Sequence, residues 1–503
     1  MSPPKDAALS GDVNRRIGVI DIGSNSIRLV VYDRLSRAPL PIINRKAVLG
    51  LGTDVERHGR FSDESFATAV RAIHALTKMA EDVPVADLTL LATAGVRSAE
   101  NGEAFCNAIL EKTGYSVTVL SGEEEAELSA LGVVSALPDL TGVVGDLGGG
   151  SLELVALDKG KAVAQTSLDI GPLRLIERTG STLSAASSLI DDAVSSVDWL
   201  PEWRGGIFYA VGGAWRSIAK VHMTQNDYPL RVVHGYQMTR REARDFTEML
   251  EHLGSKTVSG IRVVSSKRAQ TLPWGAIALD RIVAALAPKS VVFSAHGLRE
   301  GHHFQALDAR TQIEDPLFSA CHELAGQHRR FPDASHALES WIAPVVAQLS
   351  KTDHRLVRAA CILGDVGWSE HPEYRSEQAL YRVLQMPWSV LNHGQRAFLA
   401  LVLFVRYGGS AGSKEADICH RLLSDDETQA AKALGKALRL AFKLCAGRGK
   451  VLAATPLVSD GKDLALELGP DATIASPEKV ARYAASLGRA LSCKVVIADT
   501  AAR

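Results

Sequence analysis

The chain has 503 residues, a formal net charge of −1, 46% hydrophobic and 22% charged residues. This balance suits a soluble globular protein of three or four domains, and it gives no global attraction to polyanions such as nucleic acid. No apolar run approaches the about 18 residues of a membrane span, and the six scattered cysteines, with no Cys-x-x-Cys pair, argue against a zinc site or a disulfide framework and for a reducing, cytoplasmic home.

Residues 1–13 are polar, lack the apolar stretch of a signal peptide and read as a disordered lead. An apolar run then ends in Asp21, followed by the small-residue turn Gly23-Ser24-Asn25-Ser26 and a second apolar run. Such a turn lets backbone N–H groups point at one spot and form an oxyanion nest. The aspartate at the strand end offers a hard oxygen to a magnesium ion bridging the bound phosphate. An extended run over 47–52 and a helix over 62–80, with Asp63 and Glu64 early, come next. Strand 88–94 leads to Arg97, whose guanidinium either clamps a phosphate or makes an ordinary surface salt bridge. Strand 116–120 runs into Ser121-Gly122-Glu123-Glu124-Glu125, a helix start in which Ser121 and Glu124 have capping-box spacing. Acidic residues favour helix N-termini in general, and one of the three could also orient a water for attack on phosphorus, kept ionised by the helix end. The pattern does not choose among them. Alternating strands and helices mark residues 14–135 as an α/β half-domain.

Residues 136–310 repeat the logic. An apolar run ends in Asp146, and the turn Gly148-Gly149-Gly150-Ser151 precedes another apolar run. The absence of lysine excludes a Walker loop, and a strand rather than a helix after the turn excludes a dinucleotide fold. Recurrence of Asp-x-Gly-x-x-Ser-x-x-Leu-Val points to a duplicated domain with a site between its halves. A helix over 184–200 follows, and strand 207–211 runs into Gly212-Gly213, either an anion or nucleoside contact or a structural turn. In Gly297-Leu-Arg299-Glu300-Gly301 the two charges pair with each other or cap a helix.

Residues 311–445 read as helical throughout. At Leu363-Gly364-Asp365 a glycine stands where an HD-type metal phosphohydrolase needs histidine, which predicts a scaffold without that metal. Lys432, Lys436, Arg439 and Lys443, at steps of four, three and four, share one helix face. That stripe is either a solvated basic face or a track for a long polyanion. Residues 446–503 read as a small α+β domain, with strands over 451–455, 463–468 and 494–498 and a helix over 477–491.

Asp21-Ile-Gly-Ser-Asn-Ser, Ser121-Gly-Glu-Glu-Glu-Ala, Asp146-Leu-Gly-Gly-Gly-Ser-Leu-Glu-Leu and Gly297-Leu-Arg-Glu-Gly, in this order, resemble the exopolyphosphatase / guanosine pentaphosphate phosphohydrolase (Ppx/GppA) family. The resemblance implies duplicated actin-like ATPase (ribonuclease H-like) domains, an all-helical HD-like domain and a small α+β C-terminal domain, as in the long four-domain members. It implies that Glu125 is the base for the lytic water and that Arg97 contacts phosphate. Ser24, Asn25, Ser26, Gly148, Gly149, Gly150 and Ser151 would hold terminal phosphates, with Gly212 and Gly213 alongside. Asp146 and Glu153 match magnesium-associated carboxylates, next to Asp21, so Mg2+ is the implied cofactor. The expected activity is release of orthophosphate from inorganic polyphosphate, with Lys432, Lys436, Arg439 and Lys443 as the polymer track. Hydrolysis of guanosine pentaphosphate (pppGpp), or both activities in one cleft with a part in the stringent response, is the alternative. A sugar or acetate kinase needs an adenosine pocket and a sugar-binding insert that the sequence lacks, and a non-catalytic binder has no need of Glu125, Asp146 and Arg97 together. A homodimer is implied by the long members of the family.

Overall fold

The computed structural model describes residues 15–180, 182–252, 269–327, 331, 333–349, 352–388, 390–468 and 476–499. The lead expected at 1–13 lies outside them. Two compact units result, Met1–Glu314 and Asp315–Arg503.

The first unit holds two sheets of related design. Strands β1 (Ile17–Ile22), β2 (Ser26–Tyr32), β3 (Pro41–Val48), β4 (Asp87–Ala92) and β5 (Val117–Val119) are ordered β3-β2-β1-β4-β5. Strands β6 (Gly142–Leu147), β7 (Leu152–Asp158), β8 (Lys161–Leu168), β9 (Ile207–Gly212), β10 (Tyr236–Thr239) and β11 (Ser290–Phe293) are ordered β8-β7-β6-β9-β11-β10. Each sheet is an antiparallel meander of three strands continued by two parallel ones, and β10 adds an antiparallel edge to the second. This is the duplicated actin-like arrangement. β1 and β6 lie mid-sheet with helices on both sides, which is why they read as continuous apolar runs rather than alternating ones. Phe61, Ile73 and Phe105 fill the first core, and Phe208, Trp215, Ile277 and Phe293 the second. Helix Gly122–Ala136 starts on a complete capping box: Ser121 accepts from Glu124 N, and Glu124 accepts from Ser121 N.

The expected extended run over 47–52 is corrected. β3 stops at Val48, and Leu51–His58 is a helix entered through Gly50 at φ 74°. Leu49 and Gly50 form the link between strand and helix, and Leu51 already belongs to the helix, so the apolar spacing at 49 and 51 carries no strand period.

In the second unit, helices Pro316–Gln327, Ser335–Val346, His354–Ile362, Arg375–Gln385, His393–Tyr407 and Asp425–Cys445 precede a three-stranded sheet of β12 (Leu457–Asp460), β13 (Asp463–Leu468) and β14 (Val495–Asp499) with helix Pro477–Leu491. The strand expected over 451–455 is instead the short helix Gly449–Ala453, anchored where Trp341 Nε1 donates to Thr455 O at 2.6 Å. A Cβ on Gly364 would stand 2.7 Å from the Phe442 ring, so an imidazole there has no room. Asp365 pairs with Arg406 at 3.4 Å.

Candidate active site

The two small-residue turns close in the same way. Gly23 N donates to Ser26 O at 3.1 Å, and Gly148 N to Ser151 O at 2.9 Å. Each turn is braced by the start of the helix after the third strand of its meander. Gly52 N donates to Ser24 O at 2.6 Å, and Leu173 N to Gly149 O at 2.9 Å. Those bracing helices, Leu51–His58 and Pro172–Arg178, are tied by Arg174 to Glu56 at 3.0 Å and Arg57 to Glu177 at 2.7 Å, and Arg174 also holds Asp169. The turns touch. A Cβ on Gly149 would lie 2.8 Å from Ser24 Cβ, and one on Gly52 2.6 Å from the same atom. Glycine is required at both positions because no side chain fits between the two halves there.

Beside this contact lies a cavity of about 190 Å³. Ser24, Asn25, Ser26, Gly148, Gly149, Ser151, Gly212 and Gly213 line it, together with Asp21, Glu125 and Asp146. Three expected residues lie off its wall. Gly150 turns the chain away, its carbonyl accepting from Gly171 N. Glu153, directly across the β6–β7 ladder from Asp146, is 1% exposed. Arg97 ends the helical turn Ala94–Arg97, where its Nη1 donates to Leu120 O at 2.5 Å and meets Glu125 Oε2 at 3.4 Å. Its nearest anion is therefore Glu125.

Sequence reasoning left Arg28, Lys46, Arg216 and Ser129 unassigned. The first three line the cavity, and Ser129 Oγ donates to Asp146 Oδ2 at 2.5 Å. The available signal was a charged residue inside the apolar run of β2, two positions from Ser26 and so on the same sheet face. The choice left open at 299 and 300 resolves by geometry. Glu300 is the cap, accepting from Gly297 N at 3.0 Å and from Tyr32 OH at 3.3 Å, whereas Arg299 is buried 4.0 Å from Asp21. Burial opposes ionisation of Glu300, but Arg299, His296 and the Gly297 N–H hold it at about 2.

Four carboxylates crowd this region. Burial raises Asp21, with the Asp146 charge adding to it and Arg299 opposing. Burial raises Asp146 as well, against the Ser129 hydroxyl. Glu153 is pushed to about 7 by burial and by Asp146. Burial, Glu153 and Asp146 drive Glu125 well above the carboxylate range, against Arg97. At Glu125 desolvation and like charge outweigh the helix N-terminus that was expected to keep one of the three glutamates ionised. Glu124, exposed in its capping box, is the one lowered.

The sign of the consequence is fixed. Glu153 binds its proton more tightly folded, at about 7 against an ordinary 4.5. Its contribution is fully present below the unfolded value and lost as pH rises through about 7, on the order of 3 kcal/mol. Glu125 acts in the same direction. Melting temperature is therefore expected to fall between about pH 5 and pH 8, and added Mg2+ to raise it more at pH 8 than at pH 5. Differential scanning fluorimetry reads both, and equal cation effects at the two pH values would contradict the clustering.

Residues 30–310 match the Ppx/GppA phosphatase family, and residues 317–495 match the exopolyphosphatase C-terminal domain. The chain belongs to the Ppx/GppA phosphatase family. As such it is a phosphoanhydride hydrolase. Among similar proteins, retrograde regulation protein 2 of Saccharomyces cerevisiae is 25% identical over 445 residues, covering 79% of this chain and 74% of that one. Exopolyphosphatase 2 of Mycobacterium tuberculosis is 26% identical over 309 residues, covering 57% of this Ppx/GppA chain and 97% of its own. The guanosine-5'-triphosphate,3'-diphosphate pyrophosphatase of Photobacterium profundum is 23% identical over 410 residues, 76% of this chain and 79% of its own. The crystal structure of an exopolyphosphatase from Cytophaga hutchinsonii superposes with a TM-score of 0.53 at 22% identity, over 57% of this chain and 96% of that one, which supports the fold.

Proposed function

We propose that this Ppx/GppA phosphatase is an exopolyphosphatase that removes terminal orthophosphate from inorganic polyphosphate. The observation that carries the reading is a row of charge across the first sheet. Asp21 faces Arg28 across β1–β2, and Arg28 faces Lys46 across β2–β3. All three line the cavity. From the strand-end carboxylate the row runs outward through two cations at strand spacing, about 4.8 Å per step, toward the edge of the sheet. Such a row suits a chain of phosphates leading away from a held terminal group. A nucleobase finds less support, because Trp215, two residues past Gly213, is buried in the core with its Nε1 donating to Gly275 O at 2.9 Å.

In this reading the N–H groups of the turns at Ser24–Ser26 and Gly148–Ser151, with those at Gly212 and Gly213, grip the terminal phosphoryl. Glu125 orients water opposite the bridging oxygen and takes its proton as the oxygen–phosphorus bond forms and the anhydride bond breaks. Arg97 positions Glu125. Arg299, Arg28 and Lys46 balance charge on the transferred group and on the departing chain. Asp21, Asp146 and Glu153 would hold a divalent cation. They supply only oxygen, they repel one another while buried, and Glu153 Oε2 is buried without a hydrogen-bond partner among the described residues. Asp21 and Asp146 line the cavity, with Glu153 behind Asp146. An all-oxygen donor set of this kind suits a magnesium-type ion, which keeps waters and binds through one or two carboxylates plus substrate phosphate. When bound, such an ion supplies charge neutralisation on the transferred phosphoryl.

The deciding experiment measures orthophosphate release from long-chain polyphosphate and from pppGpp, each with and without Mg2+. Faster, cation-dependent release from the polymer is expected. Turnover of pppGpp alone would replace this reading with the pentaphosphatase one, and comparable rates would make the enzyme dual.

A further inference from the structure

In the second unit the basic stripe expected to run open along one helix face is partly roofed. Helix Pro477–Leu491 packs on helix Asp425–Cys445, and Lys436 Nζ donates to Ser486 O at 3.2 Å. Between the two helices and residues 409–411 lies a cavity of about 560 Å³, within the roughly 300–1,000 Å³ of small-ligand sites. Lys432, Lys436 and Arg439 reach it from one helix and Arg482 and Arg489 from the other, with no carboxylate on its wall. Among the described residues none of these five cations is ion-paired with an Asp or Glu. The chain makes room for them: Gly408, at φ 108°, ends helix His393–Tyr407, and a Cβ there would stand 2.7 Å from Arg439 Nη2.

Tyr483 fixes part of the wall. Its ring centroid lies 5.1 Å from the Arg439 guanidinium and 5.2 Å from that of Arg482. These contacts hold the two guanidinium groups and occupy the ring that a base would otherwise stack on. Burial, then the charges of Arg489 and Lys432, weaken proton binding at Lys436. Like charges kept together in a concave wall focus field on an anion.

We propose that this cavity is a second anion site, separate from the catalytic cleft, that takes a compact multiply charged phosphate of pyrophosphate or tripolyphosphate size. It rests on the phosphate chemistry proposed for the first unit only in the class of ligand. Cations that face one another across a chamber wrap a short anion, whereas a polymer needs them to continue in line. Lys443 does not line the chamber: it lies 5.7 Å from the centroid of the Tyr483 ring and lines a smaller cavity of about 160 Å³ with Arg375 and Arg406, which Arg439 shares with the chamber.

The test titrates methylenediphosphonate, whose bridge cannot be hydrolysed, into the full-length protein by calorimetry. It compares wild type with Arg482→Gln/Arg489→Gln, whose side chains are exposed on Pro477–Leu491 so that the fold tolerates the change. The expected result is loss of one binding step, at least tenfold in affinity, with phosphate release from tripolyphosphate unchanged. A parallel titration of Arg299→Gln should lose the other step. Unaltered binding in the α-helical double variant overturns the second site, and unaltered binding in Arg299→Gln overturns only the reading of the cleft. Long-chain polyphosphate, titrated into Glu125→Gln, separates the remaining possibility. If the double variant weakens that polymer and not methylenediphosphonate, the chamber is part of a polymer track and the proposal is wrong.

Discussion

Glu125→Gln is expected to lower phosphate release about 10²–10⁴-fold while substrate affinity stays within a few-fold. Glutamine keeps the size and one oxygen of the side chain but cannot accept the proton of the attacking water. The turn N–H groups and Arg299, which provide ground-state binding in this reading, are untouched. A simple folding defect predicts the opposite sign in stability. Glu125 is buried and its ionisation is resisted by Glu153 and Asp146, so the neutral amide should leave the melting temperature at pH 8 unchanged or higher. Glu124→Gln is the matching control. That carboxylate accepts from Ser121 N at 2.7 Å and faces solvent. Glutamine at this position can still accept from that N–H and complete the capping box, so the change should spare both the helix start and turnover. Steady-state kinetics on both variants, with melting curves, decide the matter. If the two glutamines cost the same activity, Glu125 has no special part in the chemistry.

The three consecutive glutamates show what a sequence can and cannot reveal. Their place at a helix start, and the capping box made by Ser121 and Glu124, follow from residues within one turn of each other. Which of them faces the cavity depends on Glu153 and Asp146, on strands of the other half, and no local pattern contains that. The same contrast holds elsewhere. The turns at Ser24 and Gly149 were readable because the duplication writes one pattern twice. Their contact was only an inference until Gly149 and Ser24 were found packed together. Strand β8 escaped notice because, as an edge strand, it is mostly exposed, with Val163 facing solvent and no alternating apolar face to mark it. Val451-Leu452 suggested a strand by composition, yet both bury against helix Ser335–Val346 from one short helical turn. The basic stripe was legible as a helix face. Its partial roof, fifty residues further along the chain at Ser486, was not.

Gly301→Ala is expected to remove about 3 kcal/mol or more of stability from the first unit, a fall of roughly 6–12 °C in its melting temperature. Helices Gly122–Ala136 and Leu298–Gln305 cross with their backbones in contact. A Cβ on Gly301 would stand 1.8 Å from Leu128 O, and one on Gly132 2.1 Å from Gly297 O. The obstacle is backbone in both cases, so no side-chain rotation relieves it and the helices must separate. Separation reaches the chemistry directly. The first helix carries Glu125 and Ser129, the second carries Arg299, and Arg299 stands 4.0 Å from Asp21. Moving one helix shifts the proposed base relative to the cation that balances charge on the phosphoryl group, and a displacement of about 1 Å can cost 10²-fold in rate. Turnover per folded molecule should therefore fall along with the melting temperature. Gly114→Ala in the same unit is the comparison: φ there is 78° but nothing lies within 4 Å of the added carbon, so it should cost only about 1–2 kcal/mol of backbone strain and leave turnover intact. Calorimetry and kcat on the two alanines separate contact from conformation. A Gly301→Ala protein that melts like Gly114→Ala and turns over normally would mean that the crossing of these helices does not set the geometry of the cleft.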